Sequence, residues 1–320
     1  MMPDKTSSSK EPLIVVEKLT KEFDLRKGLS RYFSGNSGNI LRAVNQVSFS
    51  IERAGTIGLI GESGCGKTTL GRTVLRLQEP TSGQIRFDGR DITHLDSEEL
   101  KPLRQSMQII FQDPYASLNP RHTVEDIVGL PMKLHEGLNR QQCRARVQEL
   151  LARVGLQSSQ MQCYPHQFSG GQRQRIGIAR ALVGTPQFIV CDESVSALDV
   201  SIQAEIINLL MDLREELGLT YLFIAHDLSI VAQIATNVAV MYVGQLVEFA
   251  PTHELFHSPK HPYTKALLSA IPGVDPNQKF VPVRLVGEIP NPANLPPGCR
   301  FSTRCSYVQE RCKHEQPAWR

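Results

Sequence analysis

The sequence predicts an α/β fold built on a mostly parallel sheet. Short, continuous apolar runs at residues 56–60, 188–191 and 220–225 have the pattern of strands buried on both faces. Helix-length segments alternate with them along the chain. A glycine-rich turn over residues 61–66 leads directly from the first of these strands into a helix.

Taken in chain order, residues 1–12 are polar and Ser/Lys-rich and read as a flexible N-terminus. Residues 13–19 read as a strand. Residues 24–40 are rich in Gly, Ser and Asn and read as a surface loop. Residues 47–51 alternate in polarity and form another strand. A helix is predicted over 67–78, with strands over 84–88 and 107–111. From 123 to 156 the pattern turns helical, with long polar faces such as 141–154. A helix over 172–183, the strand at 188–191, a helix over 200–217 and the strand at 220–225 complete the core. The helical stretch at about 116–175 therefore interrupts an α/β domain spanning 13–258. Beyond Ser258 the composition shifts: prolines at 259, 262, 272, 276, 282, 290, 292, 296 and 297 mark a separate extension over 259–320. It carries little helix outside 263–270. There is no internal repeat.

Composition narrows the function classes. The chain has 320 residues, more than one domain of roughly 150. Hydrophobic residues at 41% and charged residues at 21% are globular usage and exclude a mostly disordered chain. Lys and Arg total 35 against 32 Asp and Glu, a net charge of +3, which argues against a nucleic-acid binder. No apolar run approaches the roughly 18 residues of a membrane helix. The polar N-terminus lacks the apolar core of a signal peptide. The expectation is a cytosolic protein that meets a membrane, if at all, through partners.

Gly61-Glu62-Ser63-Gly64-Cys65-Gly66-Lys67-Thr68 fits the phosphate-binding P-loop, in the strand-to-helix context that the motif requires. Its glycines let successive N–H groups turn toward phosphates, and the helix N-terminus adds its positive dipole end. Lys67 supplies a point charge for the β- and γ-phosphates, Thr68 a hydroxyl for Mg²⁺, and Thr69 completes the ATP-binding set. Residues 188–192 form a buried strand ending in Asp192, placed to hold Mg²⁺. Glu193, next along, can orient and deprotonate the attacking water. His226 ends another apolar strand, where a polar group can reach the γ-phosphate.

With these motifs in hand, the chain resembles the ATP-binding subunit of ABC transporters. Phe168-Ser169-Gly170-Gly171-Gln172 resembles the signature motif, and it falls in order between the P-loop and Asp192-Glu193. The resemblance implies a P-loop (RecA-like) core with a helical signature subdomain. Gln112 resembles the Q-loop glutamine, a Mg²⁺ ligand that transmits closure to membrane subunits. Ser196-Ala197-Leu198-Asp199 resembles the D-loop. Phe23 is the candidate aromatic for stacking on adenine, with Tyr32 or Phe33 as competitors. The resemblance also implies that two subunits pack head to tail, so that Ser169, Gly170, Gly171 and Gln172 act on ATP held by the partner.

His261-Pro262-Tyr263-Thr264-Lys265-Ala266-Leu267-Leu268 is similar to the C-terminal segment of oligopeptide and dipeptide importer ATPases. Asn119-Pro120-Arg121, Tyr164-Pro165-His166 and Gly298-Cys299 match the same group, most of all its dipeptide "F-type" subunit. The implied assembly is a heterodimer with a second homologous ATPase, two membrane permease subunits and an extracytoplasmic substrate-binding protein, with no nucleic acid. The implied location is the cytoplasmic face of a bacterial inner membrane. Importers of nickel, glutathione, opines or oligosaccharides remain open as alternatives, as does a soluble ABC ATPase outside transport. One departure is Ser194, where the family often has Pro.

Seven cysteines occur, at 65, 143, 163, 191, 299, 305 and 312. The first four read as packing residues. For Cys299, Cys305 and Cys312 the resemblance implies a [4Fe–4S] cluster, which normally takes four thiolates. No cysteine follows Cys312, whereas the family usually continues beyond this point. The expectation is therefore a shortened chain, another ligand such as the nearby His314, or none. A zinc site and free thiols stay open.

Overall fold

The computed structural model describes residues 11–25, 40–135, 137–270, 283 and 285–319. Nearly all of the expected N-terminal segment, most of the 24–40 loop with Tyr32 and Phe33, and several of the extension's prolines lie outside the described residues.

Strands β1 (Ile14–Asp24), β2 (Ile40–Ile51), β3 (Thr56–Ile60), β4 (Ser82–Phe87), β5 (Arg90–Asp91), β6 (Met107–Ile110), β7 (Phe188–Asp192), β8 (Thr220–Ile224), β9 (Asn237–Tyr242) and β10 (Gln245–Pro251) form two sheets. The six-stranded sheet has the order β10-β9-β3-β8-β7-β6. Pairs β9/β3, β3/β8, β8/β7 and β7/β6 are parallel, and β10 joins antiparallel at the edge. Every residue of β3, β7 and β8 is buried, as their unbroken apolar runs require.

The remaining strands correct the single-sheet expectation. They form a separate antiparallel sheet of order β2-β1-β4-β5. Both β1 and β2 outrun their predicted spans, because the chain on either side of the 24–40 loop continues the pairing out to Asp24 opposite Ile40. The hairpin of β9 and β10 goes unpredicted: its turn at Val243-Gly244 is only two residues long, and no apolar alternation separates the strands.

Helix α1 (Lys67–Val74) lies between the two sheets, with Leu70 and Val74 in one core beside Ile14 and Val16 of β1, Val190 of β7 and Ile224 of β8. It is shorter than the predicted 67–78, ending where Arg76 takes φ 54°. The helical pattern over 123–156 resolves into α2 (Val124–His135) and α3 (Arg140–Arg153), and the helix expected over 172–183 is α4 (Gly170–Ala181). Asn139 caps α3 in a capping box with Gln142, which restarts the helix after the break. Helices α5 (Val200–Leu217) and α6 (Leu228–Ile234) cover the second face of the parallel sheet.

The extension is less separate than its proline content suggests. After α7 (Thr252–His257), which closes the preceding domain, it contributes α8 (Pro262–Leu268) and a 3₁₀ turn at Glu310–Lys313. Tyr263 and Phe301 are fully buried members of the larger core; against Tyr242 of β9 the Tyr263 ring is tilted and the Phe301 ring edge-on, with centroids 4.7 and 5.2 Å away.

The cluster expectation for the terminal cysteines does not hold in this arrangement. Among the described residues, no group of three or more His, Cys, Asp or Glu is placed to hold a metal ion. Cys299 and Cys305 pack against the apolar core, and burial pushes the Cys299 thiol up.

Candidate nucleotide site

The site is assembled where β3 runs into α1. Residues 63–69 curl around a cleft of about 350 Å³, which Phe23, Gln112 and Glu193 also border. Gly66 shows why the loop needs glycine. Its φ is +108°, and a Cβ there would lie 2.1 Å from the Ala43 carbonyl oxygen. Cys65 is buried beneath the loop and its thiol is pushed up by burial, so it is an inert packing residue.

Lys67 is only 4% exposed. Its Nζ donates to the Gly61 carbonyl at 2.8 Å and the Glu62 carbonyl at 3.2 Å, which holds the ammonium across the loop. Thr68 Oγ1 donates to Asp192 Oδ1 at 2.7 Å, joining the start of α1 to the tip of β7. Burial pushes the Asp192 carboxyl up, opposed by the Thr68 hydrogen bond and by Arg72, whose Nη2 is 3.8 Å from Oδ2.

Glu193 has φ 49°, a left-handed conformation that costs a non-glycine residue energy and recurs at functional sites. Its N–H donates to Ile224 O at 3.0 Å, and Ser196 Oγ donates to its carbonyl at 2.9 Å. The Glu193 carboxylate is held against His226 Nε2. So β7 and β8, parallel neighbours, deliver Asp192, Glu193 and His226 to one sheet edge, as expected at the carboxyl ends of parallel strands. Ser194 Oγ is buried without a hydrogen-bond partner.

The oxygen set of Thr68, Asp192 and the cleft-lining Gln112 suits a hard divalent cation such as Mg²⁺. Phe23 lines the cleft with Lys21 Nζ 5.0 Å from its ring centroid.

Not every predicted residue faces the cleft. Gly61, Glu62, Asp192 and His226 do not border it, the last two standing behind Thr68 and Glu193. The Glu62 N–H donates to Tyr263 Oη at 2.9 Å and its carboxylate pairs with Arg304. The signature residues Ser169, Gly170, Gly171 and Gln172 do not border it either. Ser169 caps α4: its Oγ accepts from the Gln172 N–H at 3.3 Å, while Gln172 Oε1 accepts from the Ser169 N–H at 3.0 Å. Gly171 packs so closely on α5 that a Cβ would lie 2.5 Å from Ile202 Cγ2. Ser196 and Asp199 are exposed beside this junction, and the Asp199 side chain makes no capping bond.

Sequence reasoning missed Arg72, the second contact of Asp192, and Arg42, Val243, Gly244 and Pro292 on the cleft wall. No local motif marks them, because they arrive from four separate segments. Tyr263 was marked by the His-Pro-Tyr phrase, but its place under the phosphate loop was not.

Comparison with known proteins agrees with this geometry. Residues 44–196 match the family model described as ABC transporter. Residues 247–312 match the one described as oligopeptide/dipeptide transporter, C-terminal region. The chain is 49% identical over 318 residues to the oligopeptide transport ATP-binding protein AppF of Bacillus subtilis, covering 98% of this chain and 95% of that protein. It is 44% identical to the dipeptide transport ATP-binding protein DppF of Escherichia coli, covering 99% and 93%. Among solved structures, the dimeric ATP-binding cassette MJ0796 in a post-hydrolysis state bound to ADP and Pi superposes with a TM-score of 0.65 at 27% identity, covering 75% of this chain and 98% of that one. CbiO1 of Clostridium perfringens, part of an ABC transporter complex, gives a TM-score of 0.65 at 29% identity, covering 77% and 91%.

Proposed function

The chain belongs to the ABC transporter family, in the peptide-transport ATP-binding branch that carries the oligopeptide/dipeptide C-terminal region, and from that membership we propose that it powers import of di- and oligopeptides by hydrolysing ATP. It is an ABC-type ATPase. The observation that carries the reading is one cleft lined by Lys67, Thr68 and Glu193, with Asp192 bonded to Thr68 and His226 held against Glu193 behind them.

The residues divide the work as follows. Backbone N–H groups at the start of α1 and the Lys67 ammonium cradle the β- and γ-phosphates. Phe23 offers its ring to the adenine. Thr68, Asp192 and Gln112 would hold Mg²⁺, which when bound neutralises phosphate charge. Glu193 accepts the proton of the attacking water, and His226, against the same carboxylate, fixes its direction. Glu193 reaches that position because β7 ends one residue earlier.

The signature residues complete the account in a second subunit. Ser169, Gly170, Gly171 and Gln172 sit exposed or half-exposed at a helix N-terminus, apart from Gly171, and they lie off this chain's own cleft. A helix N-terminus suits a γ-phosphate delivered by a partner. We read the partner as a related ATPase, with Ser196 and Asp199 at the shared seam. Binding closes the pair and hydrolysis reopens it, a switch driven by differential affinity. Family members of this kind work with membrane permease subunits. Two permeases, contacted through α2 and α3, and an extracytoplasmic peptide-binding protein complete the proposed importer. No helix among the described residues is long and apolar enough to cross a membrane. The chain would sit peripherally on the cytoplasmic face of the inner membrane.

The test is reconstitution with the co-encoded permeases and binding protein in vesicles. ATP-dependent peptide uptake is expected, and it should vanish with Lys67→Ala. Uptake that persists with Lys67→Ala, or transport of nickel or sugars instead of peptides, would overturn the reading.

A further inference from the structure

The phosphate loop is not held by the cassette alone. Glu62, second residue of the loop, is gripped at two points by the C-terminal extension. Its N–H donates to the hydroxyl of Tyr263, which is fully buried. Its carboxylate receives both Nη1 and Nη2 of Arg304, at 2.7 and 3.0 Å. The two partners of that pair lie 242 residues apart. The Arg304 side chain is only 8% exposed, and its guanidinium lies 5.9 Å from the Tyr242 ring centroid. A fork–fork pair in such surroundings is strong and fixed in direction.

A second strap reaches the loop from the other side. Arg300 donates to the Val243 carbonyl, at the turn between β9 and β10. The next residue, Gly244, donates its N–H to the Cys65 carbonyl at 2.8 Å. Pro292, also from the extension, borders the cleft itself.

These contacts matter because a P-loop binds through backbone N–H groups whose directions must be set beforehand. With Glu62 anchored outward, the Gly61 and Glu62 carbonyls that receive Lys67 Nζ are held in place. Loss of Arg304 would also leave a largely buried carboxylate uncompensated behind the phosphate loop.

We propose that Tyr263 and Arg304 are positioning residues of the nucleotide site, so that docking of the C-terminal extension sets the affinity of the phosphate loop for ATP. The proposal rests on reading residues 61–69 as the triphosphate loop. It makes the extension a working part of the ATPase and a handle through which a partner that pulls on it can weaken nucleotide binding.

The experiment measures fluorescent-ATP affinity, KM and kcat for the full chain and its variants, with circular dichroism and melting temperature as folding controls. Arg304→Gln should bind ATP about 10-fold more weakly, with kcat at saturating ATP close to the parent. Arg304→Lys should recover part of the loss, as a point charge without the fork. The double variant Glu62→Gln/Arg304→Gln should be no worse than Arg304→Gln alone, since the two act as a unit. If Arg304→Gln does not fold, Tyr263→Phe, which removes one oxygen, decides in its place with a smaller rise in KM. Parent affinity in a folded Arg304→Gln or Tyr263→Phe protein overturns the proposal. Lys67→Ala separates the two readings: if it too binds ATP normally, the loop assignment itself fails.

Discussion

Thr68 and Asp192, 124 positions apart in sequence, are joined by a 2.7 Å hydrogen bond from hydroxyl to carboxylate. This bond ties α1 to β7 and places a carboxylate that is 3% exposed beside the phosphate loop.

Asp192→Asn tests what that burial costs. Burial raises the carboxyl above its ordinary value of 3.8. Between that value and the raised one, the folded state binds more protons than the unfolded state. Stability contributed by this group therefore falls as pH rises through that window, and the penalty stands at neutral pH. Asn keeps an acceptor for Thr68 and removes the charge. The variant should melt higher than the parent at pH 7.5 in the absence of Mg²⁺, yet lose turnover by about 10²-fold or more. A lower melting temperature at pH 7.5 would refute the burial argument.

Glu193→Gln should bind ATP with parental affinity and lose about 10²- to 10⁴-fold in turnover, the range of a general base. ATP-loaded variant should also accumulate as a closed dimer in light scattering. Phosphate release at the parental rate would remove Glu193 from the mechanism.

His261 makes the extension pH-sensitive. Its Nδ1 accepts from the Tyr263 N–H at 3.1 Å and caps α8, so protonating that nitrogen forfeits the cap. Burial lowers its pKa below 6.5, while Glu248, which accepts from the Lys260 and His261 N–H groups, opposes the shift. The unfolded state then takes up the proton first, and stability is lost as pH falls through 6.5. Denaturant titrations between about pH 8 and 5.5, followed by Trp319, the chain's one tryptophan, should show this loss. His261→Asn, which caps without titrating, should flatten the profile. An identical slope in both proteins would disprove the role of His261.

Gly171→Ala places a methyl where Ile202 Cγ2 now sits, 2.5 Å from the built Cβ. Ile is β-branched and stiff within α5, so the helices must part. The expected cost is about 1–3 kcal/mol of stability. ATP affinity of the isolated subunit should be spared, because the signature lies off its own cleft. A melting temperature equal to the parent's would show that the junction yields freely.

Much of the site was legible in the chain itself. Residues 61–68 announce their chemistry because a phosphate nest is made by one continuous stretch of backbone. Asp192 and Glu193 were readable because a buried strand shows as an unbroken apolar run whose polar end must lie at the sheet edge. The β9–β10 hairpin and the second sheet were not, since pairing partners are chosen by packing that no local pattern records. For the terminal cysteines a cluster was implied only by the family resemblance; in the fold Cys299 and Cys305 pack against the apolar core.

The sequence by itself determined the α/β class, the phosphate loop and the carboxylates, because each depends on residues adjacent in the chain. Tertiary structure alone decided that Glu62 turns away from the cleft onto Tyr263 and Arg304, and that the proline-rich extension supports the loop. A hydrogen bond across 242 residues leaves no periodicity to read; it exists only once the core around Tyr242, Tyr263 and Phe301 has closed.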